Sequence, residues 1–356
     1  GSGRNTRGFP AANCKSTLLM PPPAPRLVVF GQLRREYILP PTGKPRLNAP
    51  GGNALYAAAG AATWESGIGI VARVGEDYPK IWLDRISDSG FDLKGVRVLP
   101  GELDLRTFIA YSEDLTPRDD NPVALFAARG LTFPIDLLGY HGPGNRLDSL
   151  NRLNIYSLRQ IDLPKDFLHG TFAHFCPLDF LTHTMLPAVL RQSGFTYLTL
   201  DPGASYMDPT FWKNIPSVLT GLTAFMPSEE ELRALFHGRS TELWEMAEAL
   251  GEYGCDLVVV KCGERGQMLY ESASRRRWEF PAYPVSVVDP TGAGDAFCGG
   301  FLAGLYQTFD PIKAVLHGSV AASVALEGSG PLFSLDVLPG LPSARLEVLQ
   351  DAYRQV

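Results

Sequence analysis

Apolar residues in this chain gather in short continuous runs rather than in strict alternation. Leu27-Val28-Val29-Phe30, Ile68–Ala72, Phe172–Phe175, Tyr197–Leu200 and Leu257–Val260 are the clearest. Uninterrupted runs of that length predict strands covered on both faces, which is the environment of a parallel sheet between helices. Helical patterns fall at residues 53–63, 81–89, 180–193 and 241–252, mostly between those runs. The alternation predicts an α/β fold: a doubly wound, mostly parallel sheet with helices on both faces.

Some segments depart from this rhythm. Residues 32–50 are polar and contain several prolines, with Ile38-Leu39 as a short edge strand. Leu103–Tyr111 and Val123–Phe126 alternate, as half-exposed strands do. Residues 32–50 and 102–133 are therefore expected to form a small β-sheet lid. His141–Gln160 is rich in Asn, Arg, Gly and Ser and reads as a surface loop with some strand. Arg275-Arg276-Arg277 reads as a solvated hairpin between two strands. Ala344–Arg354 reads as a surface helix, and residues 336–356 are expected to dock on the main domain. Residues 1–25 are Gly-, Ser- and Pro-rich and read as a disordered tail or a cloning remnant ahead of Met20.

Composition narrows the partners. The chain has 356 residues, 45% of them hydrophobic, and 32 Lys+Arg against 38 Asp+Glu give a net charge of −6. That balance offers no general attraction to nucleic acid or to anionic membrane. Cysteines at 14, 176, 255, 262 and 298 form no Cys-x-x-Cys pair. They read as free thiols of a reducing, cytoplasmic compartment. No apolar run reaches membrane-spanning length.

The chemistry concentrates in Asp289-Pro290-Thr291-Gly292-Ala293-Gly294-Asp295-Ala296-Phe297. A β-prone run, Val285–Val288, leads into a glycine-bracketed turn and then a helix of small residues. A helix N-terminus carries unpaired N–H groups and positive dipole character, so it is a ready anion site. Asp295 cannot hold a phosphate by charge. It can take the proton of a hydroxyl that is about to attack one. Near the other end, Gly51-Gly52-Asn53 precedes a second helix. Its glycines let backbone approach a polyol closely; Asn53 offers a donor and an acceptor to hydroxyls, or else caps the helix.

Asp289–Phe297 and Pro50–Ala59 together resemble the two signatures of the ribokinase-like (PfkB) carbohydrate and nucleoside kinases. The similarity covers about residues 26–335. The resemblance implies a ribokinase-like fold and an ATP-dependent kinase using Mg2+, with Asp295 as base and the N–H groups of Gly292, Ala293 and Gly294 as anion hole. For the acceptor it implies Gly51, Gly52, Asn53 and Glu36. Glu36 stands where the family carries an aspartate that binds sugar hydroxyls; beside Arg34-Arg35, a solvated charge cluster is the alternative. For the nucleotide it implies Lys261, Gly263 and Gly266, in the turn after the run at 257–260. Ser228 replaces an asparagine in the family's Asn-x-x-Glu element, while Glu231 keeps the acid that organises magnesium through water. The same pair is also a capping box. His317 looks like the histidine of adenosine kinases, and a nucleotide-contacting role follows from that likeness. Asp289 is implied for a monovalent cation such as K+, or else braces the loop.

The same likeness makes His141–Gln160 an insertion and suggests a homodimer through the lid. A sugar acceptor leads, with a nucleoside as the alternative. A non-catalytic binding member of the fold is disfavoured by the intact Asp295. A dinucleotide-binding enzyme is disfavoured because Gly31 stands alone after the first strand.

Overall fold

The computed structural model describes residues 24–142, 144 and 146–356. The expected tail, and Cys14 within it, fall almost wholly outside the described residues. The strands are β1 (Leu27–Phe30), β2 (Arg34–Leu39), β3 (Arg46–Gly51), β4 (Ile68–Gly75), β5 (Phe91–Leu99), β6 (Arg106–Tyr111) and β7 (Pro117–Arg118). They continue with β8 (Phe172–Phe175), β9 (Tyr197–Leu200), β10 (Ala224–Phe225), β11 (Leu257–Lys261), β12 (Gln267–Glu271), β13 (Arg276–Phe280) and β14 (Arg354–Gln355). The α-helices are α1 (Asn53–Ala62), α2 (Lys80–Asp88), α3 (Pro122–Ala128), α4 (Phe180–Gln192), α5 (Ile215–Leu219), α6 (Glu229–Leu235), α7 (Leu243–Gly251), α8 (Ala293–Thr308), α9 (Pro311–Leu326) and α10 (Leu341–Leu349).

Ten strands form the main sheet in the order β14-β13-β12-β11-β10-β9-β8-β1-β4-β5. From β11 to β5 all neighbours are parallel, and β12 to β14 are added antiparallel. The continuous apolar runs are explained by burial on both sides. In β1, Leu27 and Val29 enter the core under α1, α8 and α9, while Val28 and Phe30 enter the opposite core with α4 and α7.

The second sheet, β3-β2-β6-β7, is the small lid. Tyr37 and Leu39 of β2 and Phe108 and Ala110 of β6 turn into a separate cluster closed by Phe126 of α3 and Leu137. The apolar outer face of the lid strands is thus covered from within the chain.

Five expectations are corrected. Val123–Phe126 is helical, because Asn121 accepts the Ala124 N–H as an N-cap and Pro122 suits the first helical turn. Ile38-Leu39 belongs to a strand inside the lid sheet, between β3 and β6, rather than to an edge. Val285–Val288 forms no strand; the Val288 N–H bonds instead to the Leu326 carbonyl at the end of α9. The described residues of 141–160 contain no strand, and the stretch is anchored just beyond by Asp162, whose carboxylate pairs with Arg73 at 2.8 Å. The C-terminal helix ends at Leu349, and Arg354–Gln355 instead extends the sheet on β13.

Glycines bring the two signature segments together. A Cβ on Gly60 would lie 2.1 Å from the Ala296 carbonyl oxygen, and one on Gly299 would lie 1.8 Å from that of Ala57. Only glycine allows α1 and α8 this backbone-to-backbone approach. The approach leaves the Tyr56 ring of α1 packed against Gly292, the residue that opens α8.

Candidate active site

The turn before α8 is held open as a cradle. Gly292 is left-handed, at φ 74°, and a Cβ there would fall 2.2 Å from the Tyr56 ring. Asp289 is buried; its Oδ1 accepts the Thr291 N–H at 3.0 Å and its Oδ2 accepts the Ser329 hydroxyl at 2.7 Å. The Thr291 hydroxyl donates to the Tyr111 hydroxyl of the lid at 3.3 Å. Gly294 differs from Gly292. A Cβ on it would meet only Lys261 Nζ, at 3.6 Å. Protein packing does not demand glycine there, so the missing side chain leaves room at the helix start for an anion.

Asp295 lies half-buried in the first turn of α8. Burial, followed by the charge of Asp201, pushes its carboxyl from 3.8 up to about 8; Glu36 and Glu231 add to this and Lys261 opposes it. Lys261 at the end of β11 donates to Asp201 Oδ2 at 2.5 Å. Cys298 Sγ lies 3.8 Å from Lys261 Nζ and 3.5 Å from Asp201 Oδ2, and burial holds it as a thiol. Burial and the neighbouring Asp201 push Glu231 up to about 7.

Asp201, Glu231 and Asp295 therefore share a single lysine, and Asp201 Oδ1 is buried without a partner. Such a site is short of positive charge and fits a phosphate-bound divalent cation. Among the described residues, no group of three or more His, Cys, Asp or Glu side chains is arranged to hold a metal alone. A cation here would rest largely on phosphate and water.

The acceptor-side candidates gather at the start of α1. A Cβ on Gly52, at φ 100°, would lie 2.3 Å from the Gln32 carbonyl oxygen. Asn53 does not cap its helix. Its Oδ1 accepts the Gln32 N–H at 2.7 Å and its Nδ2 donates to the Pro177 carbonyl at 2.8 Å, which clamps the ends of β1 and β8. One N–H and one lone pair remain for a hydroxyl. Glu36 lies in no solvated cluster, being only 4% exposed. It accepts from the Gly52 N–H, the Tyr56 hydroxyl and Arg46. A Cβ on Gly51 would run into that carboxylate.

On the nucleotide side, Ser228 and Glu231 do form the capping box. Glu231 Oε2 accepts from the Ser228 N–H at 2.8 Å and its hydroxyl at 2.9 Å, while β11 holds Lys261 alongside. Gly263 and Gly266 shape the β11–β12 turn. Gly266 is sterically required, since a Cβ would lie 1.9 Å from the Phe280 carbonyl oxygen, whereas the space around Gly263 is open.

His317 lies apart from the α8 cradle. Its ring packs on Trp64 at 4.4 Å and beside Gly304, about 15 Å along α8 from Gly294 at the usual helical rise. The α9 polar group that does reach the β11–β12 hairpin is Ser319, which donates to Gln267 at 2.7 Å. Asp201 was not among the sequence candidates. Its signal was available: an acid directly after a buried run, at the carboxyl end of a parallel strand, where open α/β sheets bind ligands.

An open glycine cradle on a helix start, a raised carboxyl within it and a lysine beside it are an arrangement suited to phosphoryl transfer. The sequence profile of the pfkB family carbohydrate kinases matches residues 188–338. A cytidine kinase of Thermococcus kodakarensis is 30% identical over 292 residues, covering 81% of this chain and 90% of that protein. The chain belongs to this kinase family and is a phosphotransferase with an alcohol acceptor. A Klebsiella pneumoniae fructokinase is 29% identical over 278 residues, covering 74% of this chain and 80% of the other. An E. coli protein described as a ribokinase II, solved with ATP and Mg2+, superposes with TM-score 0.66 at 20% identity, over 91% of this chain and 99% of its own. The fold is ribokinase-like.

Proposed function

We propose that this protein transfers the γ-phosphoryl group of ATP to a hydroxyl of a sugar or sugar-like acceptor. The observation that carries this is Asp295 beside the open cradle at Gly294, with Lys261 on its flank. The N–H groups of Gly292 and Gly294 aim charge-stabilising donors at the transferring phosphoryl, joined by that of Ala293 once it is drawn from its 3.3 Å bond to the Pro290 carbonyl, and such preorganised donors supply a large share of catalysis. Asp295 takes the acceptor proton, and a carboxyl titrating near neutrality is matched to that task. Lys261 neutralises phosphoryl charge from the side. Asn53 offers its remaining N–H and lone pair to the acceptor. Bound Mg2+ would neutralise the nucleotide phosphates, with Glu231 and Asp201 holding its waters.

The similarity to a cytidine kinase over most of both chains favours a second acceptor class, a nucleoside presenting its ribose hydroxyl. A panel of free sugars and nucleosides with ATP and Mg2+ separates the two. Turnover of sugars alone supports the first, and turnover of nucleosides alone replaces it. No turnover anywhere, with no ATP binding by calorimetry, leaves the non-catalytic binding protein.

A K+ site beside Asp289 would depend on loop carbonyls, because both carboxylate oxygens already take donors. Equal activity in K+ and Na+ would remove it. A homodimer through the lid would use the outside of α3 and the segment after it, where Val123, Ile135 and Leu138 are exposed. Sedimentation at micromolar concentration tests that contact.

A further inference from the structure

The carboxylate of Glu36 is occupied. Gly52 N–H donates to its Oε1 at 2.7 Å, and the Tyr56 hydroxyl donates to its Oε2 at 3.1 Å. Arg46 Nη2 donates to the same Oε2 and to the Tyr56 hydroxyl, the latter at 2.7 Å. Glu36 and Arg46 come from the two lid strands β2 and β3, whereas Tyr56 comes from α1 of the main domain. The Tyr56 ring, in turn, backs Gly292 of the anion turn.

A second arm runs through Arg46 itself. Its side chain lies against Gly330, next to Ser329, whose hydroxyl holds Asp289. Arg46 Nε is buried without a partner, a costly arrangement that stability alone does not justify.

We infer that Glu36, Arg46 and Tyr56 form a strut between the lid and the anion turn, and that Glu36 is a positioning residue rather than a sugar-binding one. With the lid down, the buried ion pair fixes the Tyr56 hydroxyl, and the ring holds Gly292 in its left-handed conformation. The donors of the cradle are then aimed only when the lid covers the acceptor. The kinetic consequence rests on the proposed kinase reaction; the mechanical one does not.

The test uses the full chain with Tyr56→Phe, Glu36→Gln and the double variant. Tyr56→Phe keeps the ring against Gly292 and removes only its hydroxyl's bonds to Glu36 and Arg46, leaving the Thr291–Tyr111 contact in place. Amide hydrogen exchange at residues 289–296 in the ligand-free protein should rise about tenfold in each single variant, and no further in the double. With an accepted substrate, kcat should fall in parallel in both single variants, while acceptor KM stays within about twofold. Unchanged exchange in both would overturn the strut. So would a Glu36→Gln variant with an acceptor KM raised about tenfold or more beside a Tyr56→Phe variant like wild type, because that marks direct acceptor binding. If the wild type turns over nothing, the kinase proposal fails alone and exchange still decides the strut.

Discussion

Replacing Asp295 by asparagine should stabilise the protein while removing its activity. Asparagine keeps the shape of the side chain and loses the charge. The carboxyl of Asp295 is raised from 3.8 to about 8, so between those values the folded state holds a proton that the unfolded chain releases. Stability contributed by this group therefore falls as pH rises through that window, and it is level outside it. At pH 7 the penalty is roughly 4 kcal/mol, taking about 1.4 kcal/mol per unit over roughly three units. An unfolding entropy of about 2.1 cal/mol/K per residue over the 356 residues turns this into a rise in Tm of roughly 5 °C. Relaxation of the neighbouring Asp201 and Lys261 would reduce it. The assay is thermal unfolding of wild type and variant from pH 4 to 9 without nucleotide. The Tm difference should be small at pH 4, grow toward pH 8 and then level. A pH-independent difference, or a variant less stable at pH 8, would refute the electrostatic account of this site. Stability given up for a poised functional group is a common trade.

Other outcomes follow from the same geometry. Lys261→Met should lower kcat about 100-fold or more and strip Asp201 of its cation, so nucleotide binding by calorimetry should become more dependent on Mg2+. Gly294→Ala should fold with wild-type Tm, since a Cβ has 3.6 Å to its nearest neighbour, yet lose activity by crowding the cradle. Gly52→Ala should instead lose stability by roughly 2 kcal/mol or more, because its φ of 100° and the Gln32 carbonyl both exclude a side chain. Initial rates with the free enzyme should rise with pH through the Asp295 transition near 8; kcat/KM falling over that range would remove Asp295 as base.

The fold was legible where burial is two-sided. Phe172–Phe175 and Tyr197–Leu200 are strands at the limits their mainly apolar runs define, because a parallel interior covers both faces and the buried His174 and Thr199 hydrogen-bond each other. β5 was not legible: Phe91–Leu99 mixes Asp, Lys and Arg with apolar residues, as a strand at the sheet edge can. Val123–Phe126 misled because four residues carry too little periodicity to separate strand from helix. In the site, Asp295, Gly292 and Asn53 could be placed from local order, since a turn followed by a helix start is a local structure. Asp201 meets Lys261 across 60 residues, and Glu36 meets Tyr56 across 20, which only the sheet order and lid placement decide. His317 shows the converse: the residue type suits a nucleotide site, but its helix face turns it toward Trp64.

The central claim is that Asp295 removes the acceptor proton during transfer from ATP. The most direct measurement is transfer of labelled γ-phosphate to the acceptor found in the panel, at saturating ATP, Mg2+ and acceptor, for wild type and Asp295→Asn. Turnover should fall roughly 10²–10⁴-fold, with ATP and acceptor still bound at near wild-type affinity by calorimetry. Equal turnover by the two proteins would contradict it.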